Sequence, residues 1–189
     1  MKARILIMLL CLTQFLFVGA QNVDFNEQKD LELKEVIELP NLTKQQIFVA
    51  VQSLLSDWHP NTNSQSSIDY ADLETGTIIT KGKYWVGFHK TNSFFGYDFL
   101  ANYSCTIRMK DGRAQIIIKV PSIVLHWSAN NTDDEMIDVQ HVYPTYDGYK
   151  TRHYYTKKPM TIYGPQVPDA IRTIFNSIKQ SLVKPVDDF

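Results

Sequence analysis

The sequence predicts an α+β domain in which an antiparallel β-sheet carries two helices packed on one face. Three observations lead there. From Tyr97 to Met109 every odd position is apolar or aromatic, and the run closes on Asp111-Gly112, a strong hairpin signal. Two segments, Ile47–Trp58 and Ile171–Leu182, each gather their apolar residues on one side of a helix. The order along the chain is strand, helix, four strands, an irregular insert and a last helix, so the helical stripes must be buried against the single apolar face of the strands.

Each element has its own signal. Leu31, Leu33, Ile37 and Leu39 fall on alternate positions, which reads as a half-buried strand ended by Pro40. Thr43-Lys44-Gln45-Gln46 is a capping box, with Leu42 and Ile47 as the staple around it. The helix it opens carries Ile47, Phe48, Val51, Leu54, Leu55 and Trp58 on one face and stops at His59-Pro60. Ile68–Asp72 and Thr77–Val86 read as strands joined through Gly76, which supplies the turn's positive φ. A two-residue turn at Asp111-Gly112 pairs Met109 with Ala114, Ile107 with Ile116, Cys105 with Ile118 and Tyr103 with Val120, all on one apolar face. Pro121 marks an edge or a bulge, and Ile123, Leu125 and Trp127 resume the alternation. Met136–Tyr143 and Tyr149–Tyr155 are expected to form a second hairpin around Pro144–Gly148, and Met160–Tyr163 a further short strand. Ile171, Ile174, Phe175, Ile178 and Leu182 form the stripe of the last helix.

The chain therefore divides into residues 1–20, a polar lead-in at 21–30, a core at 31–127, a tyrosine-rich insert at 128–165, a helix at 166–184 and a short tail at 185–189. Residues 1–20 have the order of a secretory signal peptide: Lys2 and Arg4, then the apolar Ile5–Val18, then the small residues Gly19-Ala20. That run is short for a membrane span, and no second one follows, so stable membrane insertion after signal removal is not expected. The expected destination is the periplasm, the cell surface or the medium. Removal of the leader takes away Cys11 and leaves Cys105 as the one thiol, so the mature chain has no intramolecular disulfide to form.

Composition narrows the function without giving it. The 189 residues are 44% hydrophobic, 21% charged and 12% aromatic, which is globular and fits one domain. Nineteen basic residues against 20 acidic ones give a net charge of −1, without the basic excess of a nucleic-acid binder. Two cysteines exclude a disulfide scaffold and a Cys-rich zinc module.

Several turns and caps together resemble a known family. They are Glu38-Leu39-Pro40, the helix opening Leu42-Thr43-Lys44, Asp72-Leu73-Glu74-Thr75-Gly76-Thr77-Ile78 with Lys81-Gly82-Lys83, and Lys110-Asp111-Gly112-Arg113. Over roughly Val36–Trp127 the chain resembles the secreted domain-of-unknown-function family of Bacteroidetes with a TATA-binding-protein-like fold. The resemblance implies that fold. It implies no activity and carries over no functional residues, since a fold does not specify a function.

No catalytic constellation stands out. Cys105 could be a nucleophile with one of the five histidines as base, but its odd position places it in the core, where a desolvated thiol is inert. His126, His141 and His153 with Asp133-Asp134-Glu135 could supply metal ligands, yet no HExxH, CxxC or HxH spacing occurs, and no metal or cofactor is expected. Gly76–Lys83 fails the spacing of a phosphate loop and has Tyr84 where Ser or Thr is needed. The densest unusual composition lies between Tyr143 and Tyr163. With Trp127, the residues Tyr143, Tyr146, Tyr149, Tyr154 and Tyr155 are the candidate binding surface for a protein, peptide or glycan, because tyrosine offers contact area at low entropic cost. The bland reading is that these rings pack the insert onto the core. The expected function is a non-catalytic exported recognition module. A carrier holding an apolar ligand between the sheet and the last helix is the alternative, and a hydrolase with a spatially assembled site is a further one.

Overall fold

The computed structural model describes residues 22–57, 64–91, 96–127, 134–150 and 157–183. Within them the strands are β1 (Asp24–Phe25), β2 (Leu31–Glu38), β3 (Gln65–Asp72), β4 (Thr77–Lys90), β5 (Gly96–Lys110), β6 (Arg113–Trp127) and β7 (Glu135–Asp138). The helices are α1 (Lys44–Asp57), α2 (Lys157–Tyr163) and α3 (Val167–Val183). The strands form one antiparallel sheet in the order β1-β2-β6-β5-β4-β3, and β7 joins β6 beyond the end of β2. Helices α1 and α3 pack on each other and on one face of this sheet, so the α+β architecture with helices on a single face holds.

The long hairpin explains why the core lies on that face. Met109 faces Ala114, Ile107 faces Ile116 and Cys105 faces Ile118, all buried. The fourth expected partner pair does not form as a simple pair. Val120 and Pro121 together oppose Tyr103, because the register shifts between Asn102 and Ser104. Proline has no N–H to give a ladder, and a bulge is where a strand tolerates that. The bulge also falls where β2 stops pairing with β6, at Leu31–Val120.

Helix α1 begins as its sequence dictates. Gln46 N–H donates to Thr43 Oγ1 at 3.3 Å, and Thr43 N–H donates to Gln46 Oε1 at 2.9 Å, a reciprocal capping box. The β5–β6 turn supplies a further partner: Lys44 N–H donates to Asp111 Oδ1 at 2.7 Å, across 67 residues. Gly112 N–H donates to the Leu42 carbonyl at 2.9 Å, and Leu39 N–H donates to the Gly112 carbonyl at 2.7 Å. The carboxylate thus satisfies an orphan amide at the positive end of a helix. Asp111→Ala is expected to cost about 1 kcal/mol, a typical cap loss, read as a lower urea midpoint at unchanged slope.

Cys105 is fully buried, and burial pushes its thiol up to about 12. In native buffer it is expected to resist a thiol-specific chromophoric reagent and to react fully once urea unfolds the chain. Rapid native labelling would place it outside the core.

The segment after β6 departs from expectation in three ways. First, β7 ends at Asp138, and Val139–His141 is a 3-10 turn rather than the continuation of a strand to Tyr143. Second, Tyr149 and Lys150 are not in a strand. The Asp147 carboxylate accepts from Tyr149 N–H at 2.9 Å and pairs with His141 Nδ1 at 2.5 Å, so side-chain bonds hold this turn in place of a ladder. The remainder of that expected hairpin, residues 151–155, lies outside the described residues. Third, Met160–Tyr163 belongs to α2, not to a strand. Pro159 sits in the first turn of α2, where its missing N–H costs nothing, and seven residues are too few to display a helical period.

Candidate functional site

The face of the sheet away from the helices is not uniformly polar. Cross-strand registry sets one apolar row upon it: Trp85 on β4 is opposite Leu100 on β5, Leu100 is opposite Val124 on β6, and Val124 is opposite Met136 on β7. Leu100 and Val124 are only 8% and 2% exposed, although neither belongs to the core cluster between sheet and helices. Met136, at the end of the row, is 65% exposed.

Polar groups crowd the same end of the sheet. Asp98 stands directly opposite His126. The indole Nε1–H of Trp85 donates to Asp98 Oδ1 at 2.7 Å. Asp134, just before β7, joins two partners: Lys83 Nζ at 2.5 Å from Oδ2 and His126 Nδ1 at 2.7 Å from Oδ1. A carboxylate only accepts, so His126 carries its donated proton on Nδ1. These residues, with Gln65, line a cavity of about 300 Å³. A second cavity of about 430 Å³ continues along β3 and β4 over Lys81 and Gly82 toward Asn102, and it shares Gln65 and Lys83 with the first.

Burial alone would raise the Asp134 carboxyl. Hydrogen bonds and charge from Lys83 and His126 outweigh it and hold the group below 3.8. Because the folded value is the lower one, the stabilisation is present above the unfolded value of about 4 and is lost as pH falls through the folded value. A carbon-detected NMR titration is expected to place the Asp134 midpoint below 3.8, and Lys83→Ala is expected to raise it. An unmoved midpoint in that variant would remove Lys83 as the cause.

The tyrosine-rich surface is placed differently. Trp127, Tyr143 and Tyr146 are half-buried and packed against the core. Trp127 lies 4.4 Å from the Tyr97 ring and Tyr143 is 6.1 Å from Phe25, centroid to centroid. Tyr146 donates its hydroxyl to the Tyr149 carbonyl. Tyr149 is exposed and stacks on His141 at 4.9 Å. Tyr154 and Tyr155 lie outside the described residues. Trp127, Tyr143 and Tyr146 thus tie the segment to the domain, as amphipathic rings commonly do. His126 and His141 are held by different carboxylates, and among the described residues no three His, Cys, Asp or Glu side chains converge as metal ligands. His153 and Asp133 lie outside the described residues.

Residues 34–123 match the family described as a domain of unknown function, DUF4468, with a TBP-like fold, and the resemblance read from the sequence is borne out. Two solved structures share the architecture. A DUF4468 family protein from Bacteroides ovatus is 18% identical, with a TM-score of 0.55 over 91% of this chain and 95% of its own. A TBP-like protein from Parabacteroides distasonis is 15% identical, with a TM-score of 0.52 over 83% and 97%. No functionally curated protein matches the chain. At these identities the likeness establishes the fold.

Proposed function

We propose that the protein is an exported, non-catalytic recognition module at the cell envelope, and that it binds through the face of its sheet opposite α1 and α3, around Trp85. The observation that carries this reading is a cavity on that face lined by Trp85 and Leu100 beside polar groups already fixed by one another. A small apolar floor with a few oriented polar groups is the usual composition of a binding site. Export rests on the leader sequence of residues 1–20, which lies outside the described residues. Among the described residues no helix is long and apolar enough to cross a membrane.

The apolar-carrier reading finds no support between the sheet and α3, where Ile171, Ile174, Phe175 and Ile178 are sealed into the core cluster. A hydrolase draws on one specific observation, a cavity that holds two carboxylates and an imidazole. Each of these is engaged, Asp98 by Trp85 and Asp134 by Lys83 and His126, and among the described residues no Ser, Thr or Cys lines that cavity beside His126.

Amide-resolved NMR tests the recognition reading with a mixed panel of soluble oligosaccharides and short peptides. Shifts are expected to cluster on Lys83, Asn102 and His126. Shifts confined to α1 and α3, or none, would reject it. Turnover of chromogenic glycosides or esters, abolished by His126→Ala, would favour the hydrolase.

A further inference from the structure

We propose that the two joined cavities are consecutive subsites for a neutral oligosaccharide, with one ring against Trp85 and the chain running past Lys83 toward Lys81. This rests on the recognition reading above and names its ligand class. Charge is the first argument. Both lysines here are neutralised internally, Lys83 by Asp134 and Lys81 by Asp69 at 2.7 Å, and Asp98 holds the Trp85 indole N–H. A strongly anionic ligand would have to break one of these pairs to reach a lysine. A polyhydroxylated neutral ligand need not, because an ammonium has three donors and a carboxylate about four acceptor positions, more than these contacts use.

The second argument is the pairing of apolar and polar surface. A pyranose presents a face of C–H groups and a rim of hydroxyls. Trp85, beside Leu100 in the lining of the first cavity, offers the first a partner, since an aromatic ring attracts positively polarised hydrogens. Gln65, Asp98 and Asn102 offer the hydroxyls planar groups that donate or accept.

The third argument is length. Lys81, Lys83 and Trp85 point to this face along one strand and span about 13 Å at ~3.3 Å per residue, longer than a single sugar ring. An extended peptide gains less here. The central strands already spend their backbone groups on each other, so a peptide laid across this face adds no strand.

The test uses the whole mature chain and neutral hexasaccharides of α-glucose, β-glucose and N-acetylglucosamine, against oligo-lysine and oligo-glutamate peptides. At least one hexasaccharide is expected to bind about tenfold tighter than its monosaccharide, with an affinity that salt barely alters. Trp85→Phe and Asn102→Ala, both checked for an unchanged thermal midpoint, are each expected to weaken the hexasaccharide about tenfold. Asn102→Ala should leave the monosaccharide unaffected, since it lies in the second subsite. Peptide binding on this face with no response to any saccharide would overturn the ligand class and leave the recognition reading standing. Saccharide binding unaffected by both substitutions would overturn the placement. Silence of this face to every probe would overturn both readings.

Discussion

Phe175→Ala is expected to lower the unfolding free energy by about 3–5 kcal/mol, the usual range for emptying a buried aromatic site. Phe175 is wholly inaccessible, and it projects from the middle of α3 into the core that α3 shares with the sheet and α1. Two losses combine. The apolar area returns to water on unfolding with less to gain, and the surrounding aliphatic side chains relax only partly into the space. Lys179 Nζ, which lies 5.9 Å from the ring centroid, loses its aromatic partner as well. Against a total stability of about 5–15 kcal/mol for such a domain, the variant should populate unfolded chain measurably at physiological temperature. Val183→Ala on the same helix is the control: Val183 is 59% exposed and should change stability by no more than about 0.5 kcal/mol. Equal effects of the two substitutions would mean that α3 is not docked as described.

Gly87→Ala is the second large effect. The Tyr163 ring of α2 packs against this glycine, and a Cβ there would sit 2.3–3.0 Å from three of its ring atoms. The Tyr163 hydroxyl donates to the Phe88 carbonyl at 2.7 Å, and its ring lies 5.7 Å from Phe99. Tyr163 therefore anchors α2 to the sheet, and the methyl group would force it out. Overpacking of this kind costs about 1–3 kcal/mol. In a Tyr163→Ala background there is no ring to displace, so the same glycine substitution should cost less. Non-additivity of that sign in a double-mutant cycle is the specific readout. Additive costs would show that the two residues do not meet.

How much of this was legible beforehand depends on whether neighbouring residues or distant ones decide. Alternation along β5, closed by Asp111-Gly112, fixed three cross-strand pairs because turn length and hydrophobic pattern constrained the same register. The capping box of α1 was equally local. The region after Trp127 was misread where local signals were weak: α2 is short and starts through Pro159, and side-chain bonds from Asp147 hold the turn at His141. The site escaped for a different reason. Trp85, Lys83 and Asp98 looked like ordinary strand residues, since a row across four strands appears only when the β4–β5, β5–β6 and β6–β7 registers are all known. The irregularity between Trp85 and Gly87 also resets which β4 residues share a face, and no residue type announces it. Tyrosine density, by contrast, drew notice to a set of rings of which Trp127, Tyr143 and Tyr146 pack against the core and Tyr149 is exposed.

The turns that suggested the family have a common location. Asp111 and Gly112 bond the start of α1, Lys44 Nζ donates to the Glu74 carbonyl at 3.0 Å, and Met109 N–H donates to the Gly76 carbonyl at 2.7 Å. Two chain reversals are fastened to one helix start and to each other, at the opposite end of the strands from Trp85. The tip of a long hairpin is normally where an epitope or fluorophore is grafted, because such tips tolerate insertion. Here a graft at Asp111-Gly112 would detach the helix from the sheet, so a reporter belongs elsewhere on this molecule.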